Sequence, residues 1–574
     1  MPWDKTMGLS SALSIGRTAL TAYQAALNVV GQNIANAGTP GYSRASARLS
    51  ALPGPGLTVG QIGNGVRLDA VRRHVSETLN ARLRLAGSDQ QSALAQRSNL
   101  TRIESIFDPL GSYNLGSLMG EFFKSVSNLQ NTPESAGARA IVVSSAQALT
   151  GRFQEIRDQL VGLRSELNVQ IEQQVAQADE LAGRIAELNL RITTAEASSA
   201  GSSAALRDER DRLLSELSEY FAITVREQPS GAVNVYIGSQ SLIQAGQSFG
   251  LKTVNETDAQ GLLASVVRFK IDNGPVIASS GSVRGLIEAR DSHGGAQLQR
   301  LNTLAAALIR EVNTIHSGGQ GLSGFATLTG LTYVNDPAMP LSTAENGIAF
   351  LPRTGSFFID VKDQATGSIV RTQVHVDLDG IGADSTLSSI AADITTNVAN
   401  VKATVLPDGR LELVSDDGYR FTFADDTSGL LAALGINTFF SGADATTISV
   451  NPLMASTPSF IAAARSDLSG DGSNATAMAA LADAALAGLG GVSLNSYYNS
   501  TISQIAVSSS SAQSALEAGT IIFDSLTAQR EGVSGVSLDE EAVSMISYQR
   551  AFEGAARYMR VVDDMLQVLL GLVR

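Results

Sequence analysis

Two heptad seams, one at each end of the chain and about 500 residues apart, constrain the fold more than any other feature. Leu9, Leu13, Gly16, Leu20, Tyr23, Leu27, Val30 and Ile34 recur at spacings of 4,3,4,3,4,3,4, with a gap in the seam at Gly16. That pattern predicts a helix with one apolar stripe, about 40 Å long at ~1.5 Å per residue. Asn36-Ala37-Gly38-Thr39-Pro40-Gly41 stops it with a dense turn signal. At the other end, Met545, Tyr548, Phe552, Ala555, Met559, Val562, Leu566, Leu569 and Val573 repeat at 3,4 spacing. Gly532 to Gly535 are expected to break the preceding helix, and Ser537-Leu538-Asp539-Glu540 reads as a capping box. Asp539, Glu540 and Glu541 at its start and Arg574 at its end suit the helix dipole. Such seams are more often ordinary bundle core than interface. Termini fray unless docked, so seams at both ends must dock on each other, on the rest of the chain, or on another copy.

Between the seams, residues 88–108, 115–130, 284–316 and 495–530 are helical by period. Phe153, Ile156, Leu160, Leu163, Leu167, Ile171 and Val175 open a long seam that continues through Leu181, Ile185, Leu188 and Ile192. A loop over Ser198–Ser203 interrupts it, and Leu206–Phe221 resumes it. Residues 222–275 alternate like strands, as in Val233–Ile237, and 355–450 do so more strongly. The second block carries the runs Phe357–Val361, Ile369–Val376, Val401–Leu406, Leu411–Val414 and Phe421–Phe423. Asp408-Gly409 there is a hairpin signal, and Ser385–Val398 is a short helix among the strands. Stretches near 317–347 and 451–473 read as flexible connections. The fold class is mainly α with inserted β. The expected organisation is a terminal coiled-coil domain from 1–45 with 532–574, a helical trunk from 46–320 with 465–531 that includes the β segment at 222–275, and an inserted β-rich domain at 321–464.

Composition narrows the function. At 574 residues the chain fits about three to four domains. Forty-one Lys+Arg against 55 Asp+Glu give a net charge of −14, which disfavours a nucleic-acid partner because phosphates need a basic face. With 44% apolar residues the chain builds cores and is too apolar for wholesale disorder. It has no cysteine, so disulfides, thiolate metal sites and Cys nucleophiles drop out. No apolar run reaches ~18 residues, so no membrane span is expected. Met1–Thr6 lead into no apolar h-region, so no cleavable signal is expected. If the protein leaves the cell, its route is expected not to cleave it.

Chemistry-bearing motifs fail their spacing tests. His74, His293, His316 and His375 form no i, i+3 or i, i+4 pair. Asp467 to Gly472 resembles the start of a calcium loop, but the twelfth position, where a bidentate Glu closes the shell, is Met478. Gly60-Gln-Ile-Gly63-Asn-Gly65 is neither a dinucleotide nor a phosphate loop, and no nucleophile elbow occurs. Asp208-Glu209 and Asp539–Glu541 read as helix-start or solvated carboxylates. The expectation is a structural protein with no catalytic residue, no metal and no cofactor.

Gln32-Asn33-Ile34-Ala35-Asn36-Ala37-Gly38-Thr39-Pro40-Gly41-Tyr42-Ser43-Arg44 resembles the N-terminal signature of flagellar rod, hook and hook-associated proteins. Ser534–Glu541 with the heptads that follow resembles, within that family, the members at the junction of hook and filament. Inward matches are Gly63–Val66 with Arg72-Arg73, Leu206–Leu214, Asn313–His316, Phe439–Gly442 and Gly470–Ala475. The resemblance implies a structural adapter at that junction, exported through the flagellar type III channel, extracellular in place, and ring-forming with copies of itself. It implies as partners the hook protein, the second junction protein and a cytoplasmic export chaperone at the C-terminal helix, with no nucleic acid and no membrane. Its assembly interface would be the two seams together with Asn33, Asn36, Gly41, Tyr42 and Arg44. A hook or rod subunit shares the terminal helices, and a secreted adhesin or enzyme with a helical stalk is the alternative of another class.

Overall fold

The computed structural model describes residues 5–53, 56–57, 60–61, 63–197, 203–258, 261–468 and 470–572. The chain forms two compact units, one from residues 1–99, 165–289 and 510–574, the other from 100–164 and 290–509. The class is mainly α with inserted β, as the periodicities predict.

In the first unit, helix Lys5–Ala35 pairs with the C-terminal helix Leu538–Leu572. A hairpin of Ala45–Ala51 and Val66–Arg73, bulged between Arg48 and Leu49, also packs on the first helix. Sequence reading missed this hairpin, because its half-buried strands carry Arg48, Arg67 and Asp69 and no clean apolar alternation. Gly65, at φ +107, enters its second strand where a Cβ would lie 2.1 Å from Thr18 Oγ1. Only a glycine lets the hairpin approach the helix that closely.

The predicted long seam lies on one helix, Ala136–Glu196, of 61 residues. Every seam residue from Phe153 to Ile192 is buried. The expected loop at 198–203 lies outside the described residues except for Ser203. In the first unit the helix grips the strands that follow it. Asn168 donates to Leu263 O and accepts from Ser265 N. Asn189 donates to Val233 O and Ala245 O and accepts from Val233 N. Strands 223–227, 233–237, 240–244 and 247–248 form an antiparallel meander, and Leu251–Thr257 pairs with Leu263–Phe269.

The second unit contains the β-rich block. Its two three-stranded sheets run 327–329, 411–415, 401–405 and 369–376, 355–363, 419–424 in spatial order. One core, from Phe325 to Ile436, includes Leu387, Ile390 and Ile394 of helix Leu387–Asn397. The stretches read as flexible connections are instead packed structure. Phe325, Leu328, Val334 and Leu341 belong to the block's core, and Ile461, Ala462 and Ala463 are fully buried. Their apolar residues are spaced irregularly, so no period revealed them.

Several helix boundaries differ from the sequence reading, and the helix read over 88–108 runs over Glu77–Phe107. The helix expected over 284–316 is split by a π-turn at Ala289–Gly295, where Arg164 takes the Arg290 carbonyl as an acceptor. Gly532 stays inside helix Leu494–Ser534, and the break falls at Gly535. The calcium-like run is a turn. Burial pushes the Asp471 carboxyl up, but hydrogen bonds from Ser473, Ser466 and the Arg465 N–H outweigh this and hold it well below the usual range.

Candidate assembly site at the paired termini

The gap at Gly16 is a socket. A Cβ there would sit 2.3 Å from Met559 Sδ, so the methionine of the C-terminal helix occupies the space a side chain would need. The burial of the first helix is offset from its apolar seam. Leu13, Leu20, Tyr23, Leu27 and Ile34 are half-buried and Val30 is buried, while off the seam Ala22, Ala26 and Asn33 bury more deeply than Val30 and Val29 is buried as well. Gly16 faces the partner helix and Ile15 and Thr18 lie under the hairpin, so the residues between these two covered faces go deepest. On the C-terminal helix Val562 is buried, and Tyr548, Phe552, Ala555, Met559 and Leu566 are half-buried. Met545 is exposed. Leu9 and Leu569 are described by backbone alone, and Val573 lies outside the described residues.

The signature turn closes on the start of the C-terminal helix through a buried polar clasp. Asn33 Nδ2 donates to Ala45 O at 2.8 Å and to Glu541 Oε2 at 2.9 Å. Asn33 Oδ1 accepts from Ala45 N and from Tyr42 OH. Arg44 Nε donates to Glu541 Oε1 at 2.7 Å, and its Nη1 to Glu540 Oε2 at 2.7 Å. Its backbone N–H reaches Ser534 O, and Arg530 donates to Gly41 O. Burial, and then the nearby Asp208 and Glu541 carboxylates, push the Tyr42 hydroxyl pKa up, so it stays a donor. Asn33, Tyr42 and Arg44 thus share one network with Glu541, whereas among the described residues Asn36 bonds only within its own turn.

Glu541 was read as a solvated dipole charge, but it is 2% exposed. The capping box is half formed. Ser537 Oγ accepts from the Glu540 N–H, while the Glu540 carboxylate turns to Arg44. Asp208 is likewise no solvated charge. Arg73 bridges Asp208 at 2.7 Å and Asp211 at 2.5 Å, joining the Arg72-Arg73 run to the 206–214 run. Burial raises the Asp208 carboxyl pKa, and Arg73 opposes that rise.

The C-terminal helix also carries a second apolar stripe that the pairing leaves open. Tyr558, Val561, Met565 and Val568, at 3,4,3 spacing, are 41%, 56%, 48% and 64% exposed.

No catalytic constellation occurs among the described residues. His316 is fully buried, its Nδ1 against Asn437 O and its Nε2 accepting from Ala462 N. Asp377, Asp379 and Asp384 do gather on an exposed loop, but there Asp379 and Asp384 accept backbone N–H groups of that loop. Among the described residues no helix is long and apolar enough to cross a membrane.

Residues 100–330 match the model of the helical domain of the flagellar hook-associated protein FlgK. Residues 13–42 match that of the flagella basal body rod proteins, and 531–572 that of the C-terminal region of the rod FlgEFG proteins. Flagellar hook-associated protein 1 of Escherichia coli is 24% identical over 98% of this chain and all of its own length. The Salmonella typhimurium protein of that name is 25% identical with the same coverage, and that of Bacillus subtilis 26% over 75% of this chain and 85% of its own. The flagellar hook junction protein FlgK of Burkholderia pseudomallei matches in fold at a TM-score of 0.52 and 16% identity, covering 79% of this chain and all of that one. With both terminal elements and the helical domain between them accounted for, the chain is similar along its length to flagellar hook-associated protein 1.

Proposed function

We propose that this chain is the structural adapter that joins the hook of the bacterial flagellum to its filament. The observation that carries the reading is the paired termini. A buried clasp locks the N-terminal signature to the C-terminal helix, and that helix still presents an open apolar stripe. A helix with one covered seam and one open one suits a subunit that packs against copies of itself in a ring. Relatives along the length of the chain bear the name of a hook-associated protein, and the fold neighbour that of a junction protein. The rod-type models match only the termini, so they favour shared end helices over a rod or hook role.

In this reading the protein works outside the cell and leaves it uncleaved. It meets the hook protein on one side and the second junction protein on the other. A cytoplasmic chaperone covers the C-terminal helix before export. The chain has no catalytic function. Residues 1–45 with 532–574 form the assembly domain, the trunk comprises 46–320 with 465–531, and 321–464 is the β-rich domain. Both seams and the clasp residues hold the assembly domain together, and the open stripe from Tyr558 to Val568 is its working surface.

Val562 is 1% exposed in the pairing seam, so Val562→Asp buries an uncompensated charge at a cost of about 2–5 kcal/mol. The variant is expected to melt normally in the β-rich block but to fail to hold filaments, shedding flagellin into the medium. Gln567→Lys, on the exposed face, is expected to be nearly silent. Normal swimming by the Val562→Asp strain refutes the reading.

A further inference from the structure

In the first unit, the Pro40–Gly41 turn borders a pocket of about 370 Å³ that holds a cation with no contact ion pair among the described residues. Arg84 lines it and is only 6% exposed. Among the described residues its guanidinium makes no ion pair and no side-chain hydrogen bond, in contrast to Arg73 and Arg212 nearby. Two of the three carboxylates in the same wall, Asp211 and Glu216, are committed elsewhere, while Glu219 is exposed. Asp211 pairs with Arg73, and Glu216 with Arg212. Burial lowers the Arg84 pKa, and Asp211 and Glu77 act on it through space to oppose that. An arginine does not shed its proton in a protein, and a buried charge is costly unless paired. Leu83, Phe523 and Pro40 give the pocket an apolar wall, and Asn80 and Gln91 supply amides.

We propose that this pocket docks the first turn of the C-terminal helix of a neighbouring copy, with Asp539 pairing to Arg84 and Leu538 against the Leu83–Phe523 wall. The inference rests on the ring-forming reading above. The chemistry selects this occupant. Asp211, Glu216 and Glu219 in the wall repel a dianion about twice as strongly as a single carboxylate, so a carboxylate suits the site better than a phosphate. Leu538 is 57% exposed, and the exposed Asp539 beside it makes no ion pair among the described residues. A contact between different surfaces of successive copies is the head-to-tail kind that closes rings.

The chain has no cysteine, so introduced pairs report without background. Ser215→Cys on the pocket rim and Leu538→Cys, combined in one chain, are expected to give intersubunit disulfides in intact flagella. Arg84→Glu alone and Asp539→Arg alone should each cut that yield about tenfold. The double charge swap should restore it to within about threefold. Purified full-length Arg84→Met should melt at or above the parent's midpoint, because it removes an unpaired cation. A midpoint several degrees lower would make Arg84 a structural residue and overturn the proposal. So would absence of cross-links, or a charge swap that rescues nothing. If the protein is still found at the junction in those cases, the adapter reading stands and the docking site alone fails.

Discussion

Glu540 and Glu541 are neighbours in sequence and both bond Arg44, yet replacing them should have very different effects. Glu541 is 2% exposed and accepts from Arg44 Nε at 2.7 Å and from Asn33 Nδ2 at 2.9 Å. Glu540 has 63% of its side chain in solvent. In Glu541→Gln the shape is kept, but the charge is lost and one carboxylate oxygen becomes an amide that faces a donor. Hydrogen bonds to charged groups are worth about 1.5–3 kcal/mol. Arg44 is 27% exposed and keeps Glu540, so the lower part of that range applies, about 2 kcal/mol. At 1.4 kcal/mol per factor of ten, the clasp should open about 30-fold more often. Glu540→Gln removes a surface pair worth about 0–0.5 kcal/mol, or at most about twofold. The Arg44 amide, bonded to Ser534 O, and the Ala45 amide, bonded to Asn33 Oδ1, report this opening directly. Hydrogen exchange on the full-length chain, read over 40–50 and 534–545, should show the 30-fold acceleration for Glu541→Gln only. Equal effects of the two changes, or a change under threefold at Glu541, would refute the buried clasp.

Three further outcomes are expected. His316 has its pKa pulled down to about 4, chiefly by burial, so it is neutral in the fold and takes a proton on unfolding. The stability it contributes is present above an unfolded pKa of about 6.5 and is lost as pH falls toward 4, at about 1.4 kcal/mol per pH unit. Denaturant midpoints followed in the second unit should therefore drop between pH 6.5 and 5, and His316→Gln should flatten that slope; a flat profile in the parent chain contradicts the assignment. Melting with and without a chelator should give one midpoint, because Asp377, Asp379 and Asp384 engage their own loop; a fall of several degrees would make that loop a cation site. Residues 321–464 expressed alone should fold cooperatively with a strand-type circular dichroism spectrum, since one core spans Phe325–Ile436 and takes in Leu453 and Phe460. A disordered fragment would mean that the trunk completes that core.

Legibility followed the number of partners each element has. The seam from Phe153 to Ile192 was readable residue by residue, because that helix buries one long continuous stripe. On the first helix the stripe was right in period but offset in depth, because a hairpin covers one side and a helix another. The hairpin left no pattern, being half-buried on both faces. Charges were the hardest to read. Asp208 and Glu541 look like solvated helix-start acids, and only their distant partners, Arg73 and Arg44, make them interior. The family motifs proved to be paired clasps. Asn313 accepts from the Phe439 and Phe440 N–H groups, and Asn474 donates to Ile315 O and Ala462 O. Such partners lie 120 or more residues apart in most cases, so spacing within a motif could not reveal them.

The central claim is a location, and location is measurable. Antibody raised against this chain, applied to intact flagella and viewed by electron microscopy, should leave a single band at the distal end of the hook, where the filament begins. Label distributed along the whole hook would identify a hook subunit instead, and label absent from the flagellum would contradict the adapter role altogether.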